Sequence, residues 1–189
     1  MTVDAIDKTI CEWTEWANQE NNRNYDIALL KIWIQFEKFL GELFVDYATG
    51  KTSEFGYTPK WKLKFESEEQ LNVFLREGNR TYIEYIPRIE KLSKHLFEND
   101  PFQIIFLDAN NKEAFNKMVS LRNYIAHESG EAKRKMIRMC FGGKEENFQH
   151  PNIYLQSIEK TSKSTYYTFY VNKISEMTRL VVDPPTDIL

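Results

Sequence analysis

The chain has 189 residues, enough for one domain or one domain with a modest extension. Apolar residues make up 42% and aromatics 14%, so a real core can be buried; 25 basic and 28 acidic residues give a net charge of −3. That balance provides no broad basic face of the kind duplex-binding proteins present, so any nucleic-acid contact has to be local. The two cysteines, Cys11 and Cys140, lie far apart with no CxxC and no Cys/His cluster. They are expected to be reduced thiols in a cytoplasmic protein, and no metal or cofactor is expected. No run of 18 apolar residues exists, so no membrane span is expected. The opening "MTVDAIDKTI" has no basic segment followed by an apolar one, so it does not read as a signal peptide.

The first segment, "DAIDKTICEWTEWANQEN", carries Ile6, Ile10, Trp13 and Ala17 at helical spacing. The next, "NYDIALLKIWIQFEKFLGELFVDYATG", is long and apolar. Leu29, Trp33, Phe36, Leu40, Leu43 and Phe44 fall on one stripe, widened by Leu30, Ile34 and Phe39, which predicts a central helix. Asp26 is its candidate N-cap and Gly50 its stop. Residues 50 to 66 read as a loop with a short extended piece. Ser67 followed by Gln70 is a capping-box pattern. "TYIEYIPRIEKLSKHLF" returns to helical spacing, with Pro87 expected to kink or break it. "DPFQIIFL" is a short apolar element.

"NNKEAFNKMVSLRNYIAHES" predicts another helix, with Asn110 or Asn111 as cap, Glu113 in its first turn and Gly130 as C-terminal stop. After it comes the short basic "EAKRKMIRMCFGG". "NIYLQSI" and "TYYTFYV", separated by "EKTSKS", could pair as a β-hairpin, with helix the open alternative. "YVNKISEMTRLV" is expected to be a closing helix, and "DPPTDIL" a frayed end. The expected fold class is all-α, a helical bundle with a small irregular or β-hairpin insertion near the C-terminus.

The segment "SLRNYIAHES" places a permanent cation, an amide and an imidazole within six positions of one helix. At ~100° per residue, Met118, Leu121 and Ile125 form the core stripe with Phe115 at its edge. Asn123 and His127 lie outside that stripe, on a second face. Arg122, at the edge nearer the core, has a side chain long enough to lean toward them. This trio suits a phosphodiester. Arg122 offers fixed donors to phosphate oxygens. His127 can take or give a proton near neutral pH, and Asn123 can hold the imidazole or the substrate. In RNA the 2′-hydroxyl is a built-in nucleophile, so no step requires a metal. The structural alternative is that Arg122 and His127 satisfy the last carbonyls and the dipole of the helix.

"RNYIAH" resembles the signature of the HEPN superfamily (higher eukaryote and prokaryote nucleotide-binding domains). Arg122, Asn123 and His127 match its Arg, polar and His positions. "LLKIWIQFEKFLGELFVDYATG", with Glu37 amid bulky apolar residues, is similar to the early helix of several bacterial groups of that superfamily. The resemblance covers roughly residues 22 to 130. It implies a single HEPN-like domain over 1–189, with a core at about 22–130 and a C-terminal extension at 131–189. It also implies a homodimer with facing motif helices, and a metal-independent endoribonuclease acting on RNA in a toxin–antitoxin or other defence setting. A second His127, from the partner, would protonate the leaving oxygen, and an antitoxin or other regulatory protein is the implied partner. The alternative is a non-catalytic RNA- or nucleotide-binding or protein-interaction domain of the same type. Two departures stand out. One toxin group has Tyr two residues after the His, as a target for its antitoxin, where this chain has Ser129. Many relatives have Gly directly after the His, where this chain has Glu128.

Other residues complete the candidate site. Lys133, Arg134, Lys135 and Arg138 follow the motif and are candidates for holding RNA phosphates, or else form a solvated basic face. Glu37 is a candidate support, paired with Arg122 or Arg23 if it is buried. "YTPKWKLKF" could stack bases but reads better as an edge segment with Lys60, Lys62 and Lys64 facing water. The aromatics of "STYYTFY" read as packing. His95 and His150 read as surface residues.

Overall fold

A computed structural model describes residues 2–19, 24–75 and 86–185. These form nine α-helices: α1 (Val3–Asn18), α2 (Tyr25–Ala48), α3 (Glu68–Leu75), α4 (Ile86–Leu96), α5 (Ile104–Leu107), α6 (Ala109–His127), α7 (Gly130–Cys140), α8 (Pro151–Gln156) and α9 (Tyr166–Val182). A 3-10 turn, Glu145–Asn147, lies between α7 and α8. The class is all-α.

The expected hairpin is not there. "NIYLQSI" lies mostly in α8 and "TYYTFYV" opens α9; an isolated bridge between Ile158 and Thr165 links the segments. The reason is a periodicity that outweighs β-propensity. Tyr167, Tyr170, Val171, Ile174, Met177 and Val181 are all buried, and they recur at helical spacing. Thr165 caps this helix, its Oγ1 accepting from the Thr168 N–H at 3.2 Å. Pro151 starts α8 at a position where its missing N–H costs nothing.

The other caps were partly legible. Ser67 Oγ accepts from the Gln70 N–H at 3.3 Å, as in a capping box, but the Gln70 side chain returns to the Glu66 N–H at 3.0 Å rather than to Ser67. Asp26 lies one residue inside α2, and the Tyr25 N–H is instead satisfied by Asn152 Oδ1 at 3.0 Å. Asn110 and Asn111 also lie inside their helix. Asn111 is buried and accepts from Lys173 Nζ at 2.7 Å. Pro87 falls in the first turn of α4, while residues 76–85, before it, lie outside the described chain. Pro184, in the expected frayed end, is buried; 186–189 lie outside the described residues.

The chain divides into two compact units. The first comprises Met1–Ile6, Gln35–Asp108 and Glu176–Leu189. Its core is aromatic: Phe44, Tyr47, Phe97 and Phe102 are fully or almost fully buried, with ring centroids 5.9–6.5 Å apart. Burial drives the Tyr47 hydroxyl pKa up, and the hydroxyl donates to the Val181 carbonyl at 2.8 Å. The "YTPKWKLKF" segment forms no sheet edge; Trp61 makes an isolated antiparallel bridge with Phe97. Trp61 Nε1 donates to the Tyr47 carbonyl at 2.7 Å while Lys60, Lys62 and Lys64 are exposed.

The second unit comprises Asp7–Ile34 and Ala109–Ser175. Residues 131–175 therefore share a compact unit with the motif helix. Its core joins Trp33, Phe115, Met118, Leu121, Met136, Leu155 and Tyr170. Tyr154 and Tyr166 stack with centroids 4.4 Å apart, and the buried Tyr154 and Tyr170 hydroxyls are 2.9 Å apart. The aromatics of "STYYTFY" are thus packing residues.

Gly50 closes α2 at φ +87, and an added Cβ would clash with the end of the Lys64 side chain. Lys64 in turn lies over the Trp61 ring. Gly50→Ala is expected to cost about 1–2 kcal/mol of stability, from the left-handed backbone with some displacement of Lys64. Urea denaturation should show a lower midpoint with an unchanged slope.

Candidate functional site

The motif helix α6 is fastened to its own unit at four heights. Near its start, Asn111 holds Lys173 of α9, and Phe115 packs on Trp33 of α2 with centroids 5.3 Å apart. In the middle, Ser120 Oγ meets Cys140 Sγ of α7 at 3.6 Å. Burial raises the Cys140 thiol pKa, which keeps it a neutral packing group. Toward its end, Tyr124 sets its ring against Phe148 at 5.8 Å and against His150 at 6.4 Å.

The expected division of the helix holds. Phe115, Met118 and Leu121 are buried, and Ile125 is half-buried. Arg122 and Asn123 are half-buried; Ala126 and His127 are exposed. Arg122 Nη1 donates to Asn123 Oδ1 at 3.2 Å. The amide thus orients the guanidinium rather than the imidazole. His127 is the last residue of α6 and presents its ring to solvent. Glu37, the candidate support, is half-buried on α2 and belongs to the first unit, while Arg122 belongs to the second. Arg23 lies outside the described residues.

The helix does not stop at Gly130. It stops at Glu128, whose φ is +45 and whose N–H donates to the Tyr124 carbonyl at 2.8 Å, a left-handed C-terminal motif. Ser129 then caps α7, its Oγ accepting from the Ala132 N–H at 3.2 Å, and Gly130 is the first residue of α7. The sequence misled here because glycine is the usual left-handed residue, and the chain places a glutamate there instead.

On α7 the basic residues separate into two groups. Lys133, Arg134 and Arg138 line a groove of about 550 Å³ together with Gly130, Ile137, Gly143 and Glu145. Lys133 Nζ is also held over the Phe148 ring, 4.6 Å from its centroid. Lys135 faces away and pairs with Glu131 at 3.0 Å, which holds the Glu131 carboxyl below its ordinary pKa. The structure thus gathers three of the four basic candidates in one concavity that begins at Gly130, three residues after the motif helix ends. Three cations against one carboxylate suit a polyanion. A second cavity, of about 320 Å³, balances Lys117 and Lys173 against Glu113 and Glu159 and has no such bias. Among the described residues, no three His, Cys, Asp or Glu side chains gather where they could hold a metal ion.

The sequence reading missed Tyr124, Phe148 and His150. His95 and His150 are both exposed, as expected, but His150 lies against the motif helix. No spacing signalled this, because 26 positions and two helical elements separate Tyr124 from His150. No described helix is long and apolar enough to cross a membrane. No protein-family model matches this chain, and comparisons with curated proteins and with solved structures gave no significant match.

The left-handed Glu128 yields a stability test. Glu128→Gly should relieve backbone strain and raise stability by about 1 kcal/mol, since the side chain is exposed and only the φ value is at issue. A lower melting temperature for Glu128→Gly would show that the carboxylate makes a stabilising contact that outweighs its strain.

Proposed function

We propose that this chain is a metal-independent endoribonuclease of HEPN type, acting as a homodimer in a toxin–antitoxin or other RNA-targeting defence system, under an antitoxin or similar regulatory protein. One observation carries the reading. An amide-oriented guanidinium and an exposed imidazole occupy the end of one helix, and a three-cation groove opens at the start of the next. The resemblance of "RNYIAH" to the superfamily signature supports it.

In this reading the groove holds the RNA backbone through Lys133, Arg134 and Arg138. Neutral His127 removes the proton of the substrate's 2′-hydroxyl, and the 2′-oxygen attacks the adjacent phosphorus. Arg122, held by Asn123, stabilises the charge that develops on the phosphorane oxygens. A second acid protonates the 5′-oxygen as its bond to phosphorus breaks. The products are a 2′,3′-cyclic phosphate and a 5′-hydroxyl.

His127→Ala is expected to lose about 10²- to 10⁴-fold in cleavage. Arg122→Ala should lose about 10²-fold or more, since a fixed donor to such an oxyanion contributes about 3 kcal/mol. Gel assays should show cleavage in excess EDTA and resistance of an RNA carrying a 2′-deoxy nucleotide at the cut site. Cleavage that requires magnesium, or cutting of the deoxy substrate, overturns the mechanism.

The second reading, a non-catalytic RNA- or nucleotide-binding domain, draws on the fact that Asn123 engages Arg122 and not His127. It predicts RNA binding without cleavage, unchanged in His127→Ala. The homodimer has its own test: light scattering at micromolar concentration should give twice the 22.5 kDa chain mass, and a monomer would count against facing motif helices.

A further inference from the structure

We propose that His150 is the acid of this site, so that the pair of imidazoles needed for 2′-hydroxyl attack is complete within one chain. The inference rests on the endoribonuclease reading and names the group that protonates the leaving oxygen.

His150 is exposed at the start of α8, and its side chain makes no capping bond to that helix. Its backbone is fixed instead, the carbonyl accepting from the N–H groups of Ile153 at 2.9 Å and Tyr154 at 3.0 Å. Its ring stands nearly edge-on to Tyr124, centroids 6.4 Å apart and planes at 63°. Tyr124 is backed by Phe148, which also carries the ammonium of Lys133.

His127 comes to the same tyrosine along the helix. Residues three apart on a helix are neighbours, and a helical side chain covers the surface over the turn before its own Cα. The patch that His127 covers is therefore the turn carrying Tyr124. His150 of α8 borders the Tyr124 ring, His127 follows Tyr124 by three residues on the same face of α6, and Lys133, a cation of the basic groove, lies on the Phe148 ring behind it. Among the described residues the remaining histidine, His95, belongs to the other unit.

The step balances without another reactant. The 2′-oxygen loses its proton to His127 and forms its bond to phosphorus. The P–O5′ bond breaks, its electron pair stays on O5′, and His150 supplies the proton that oxygen needs. Solvent then returns His127 to neutral and His150 to its protonated form. The Tyr124 ring gives His150 a flat wall, so its place depends on packing and not on a partner subunit.

The test uses the full chain and an oligonucleotide of mapped cleavage site, made with the ordinary linkage and with sulfur in place of the bridging 5′-oxygen. A departing thiolate needs no proton. His150→Ala and His150→Gln should both lose about 10²-fold or more on the oxygen linkage and cut the sulfur linkage within a few-fold of the parent. His127→Ala should fail on both. Undiminished cutting of the oxygen linkage by both His150 variants overturns the proposal, and so does an equal loss on both linkages. A parent protein that cuts neither linkage overturns the endoribonuclease reading itself, and the role of His150 with it.

Discussion

The two-residue turn at Glu128 and Ser129 is the constraint on which the candidate site depends. A left-handed Glu128 ends one helix, and the Ser129 hydroxyl starts the next. With no slack between them, the end of the motif helix and the start of the basic helix keep a fixed relation. His127 is thereby tied to a groove whose cations lie six to eleven residues further along the chain. A longer, glycine-rich connection would let the basic helix drift, and the cations would contribute only a general field. The strain of a glutamate in the left-handed region is small beside the packing that holds both helices, which is why the arrangement persists.

That packing is unevenly distributed along α6. Its first two-thirds are fastened by apolar burial and by the Lys173–Asn111 bond, while its last turn leaves Ala126 and His127 in solvent. The helix is thus packed along its first two-thirds and open to solvent at its last turn. Arg122 stands at the boundary. Half-buried and bonded to its neighbour Asn123, it loses little further side-chain freedom if it meets a phosphate, which favours a fixed donor over a flexible lysine. The Tyr124, Phe148 and His150 cluster closes the same end, bringing the stretch after α7 back against the motif helix.

The sequence was most legible where one physical signal dominated. The long apolar stripe from Leu29 to Phe44 gave α2, and the glycine at 50 gave its end. It was least legible where two signals competed. The tyrosine-rich stretch at 165–171 has strong β-propensity, yet its buried positions recur at helical spacing and the helix wins. The same competition misplaced the stop of α6. A glycine two residues beyond the true turn drew the assignment, although the chain uses that glycine to begin a helix.

By itself the sequence determined the all-α class, the extent of the motif helix to within a residue or two, and the nearness of Arg122, Asn123 and His127, because these follow from local spacing on a helix. Tertiary structure alone decided that Phe148 and His150 lie against Tyr124, that Lys133 is held over the Phe148 ring, and that Gly143 and Glu145 complete the groove of Lys133, Arg134 and Arg138. The reason is one of range. Helical periodicity fixes neighbours three and four residues apart, whereas the choice among side-chain partners depends on which surfaces the remaining helices bring into contact. That choice is made by packing of aromatic residues such as the half-buried Phe148 and the buried Tyr154, whose partners no local pattern announces.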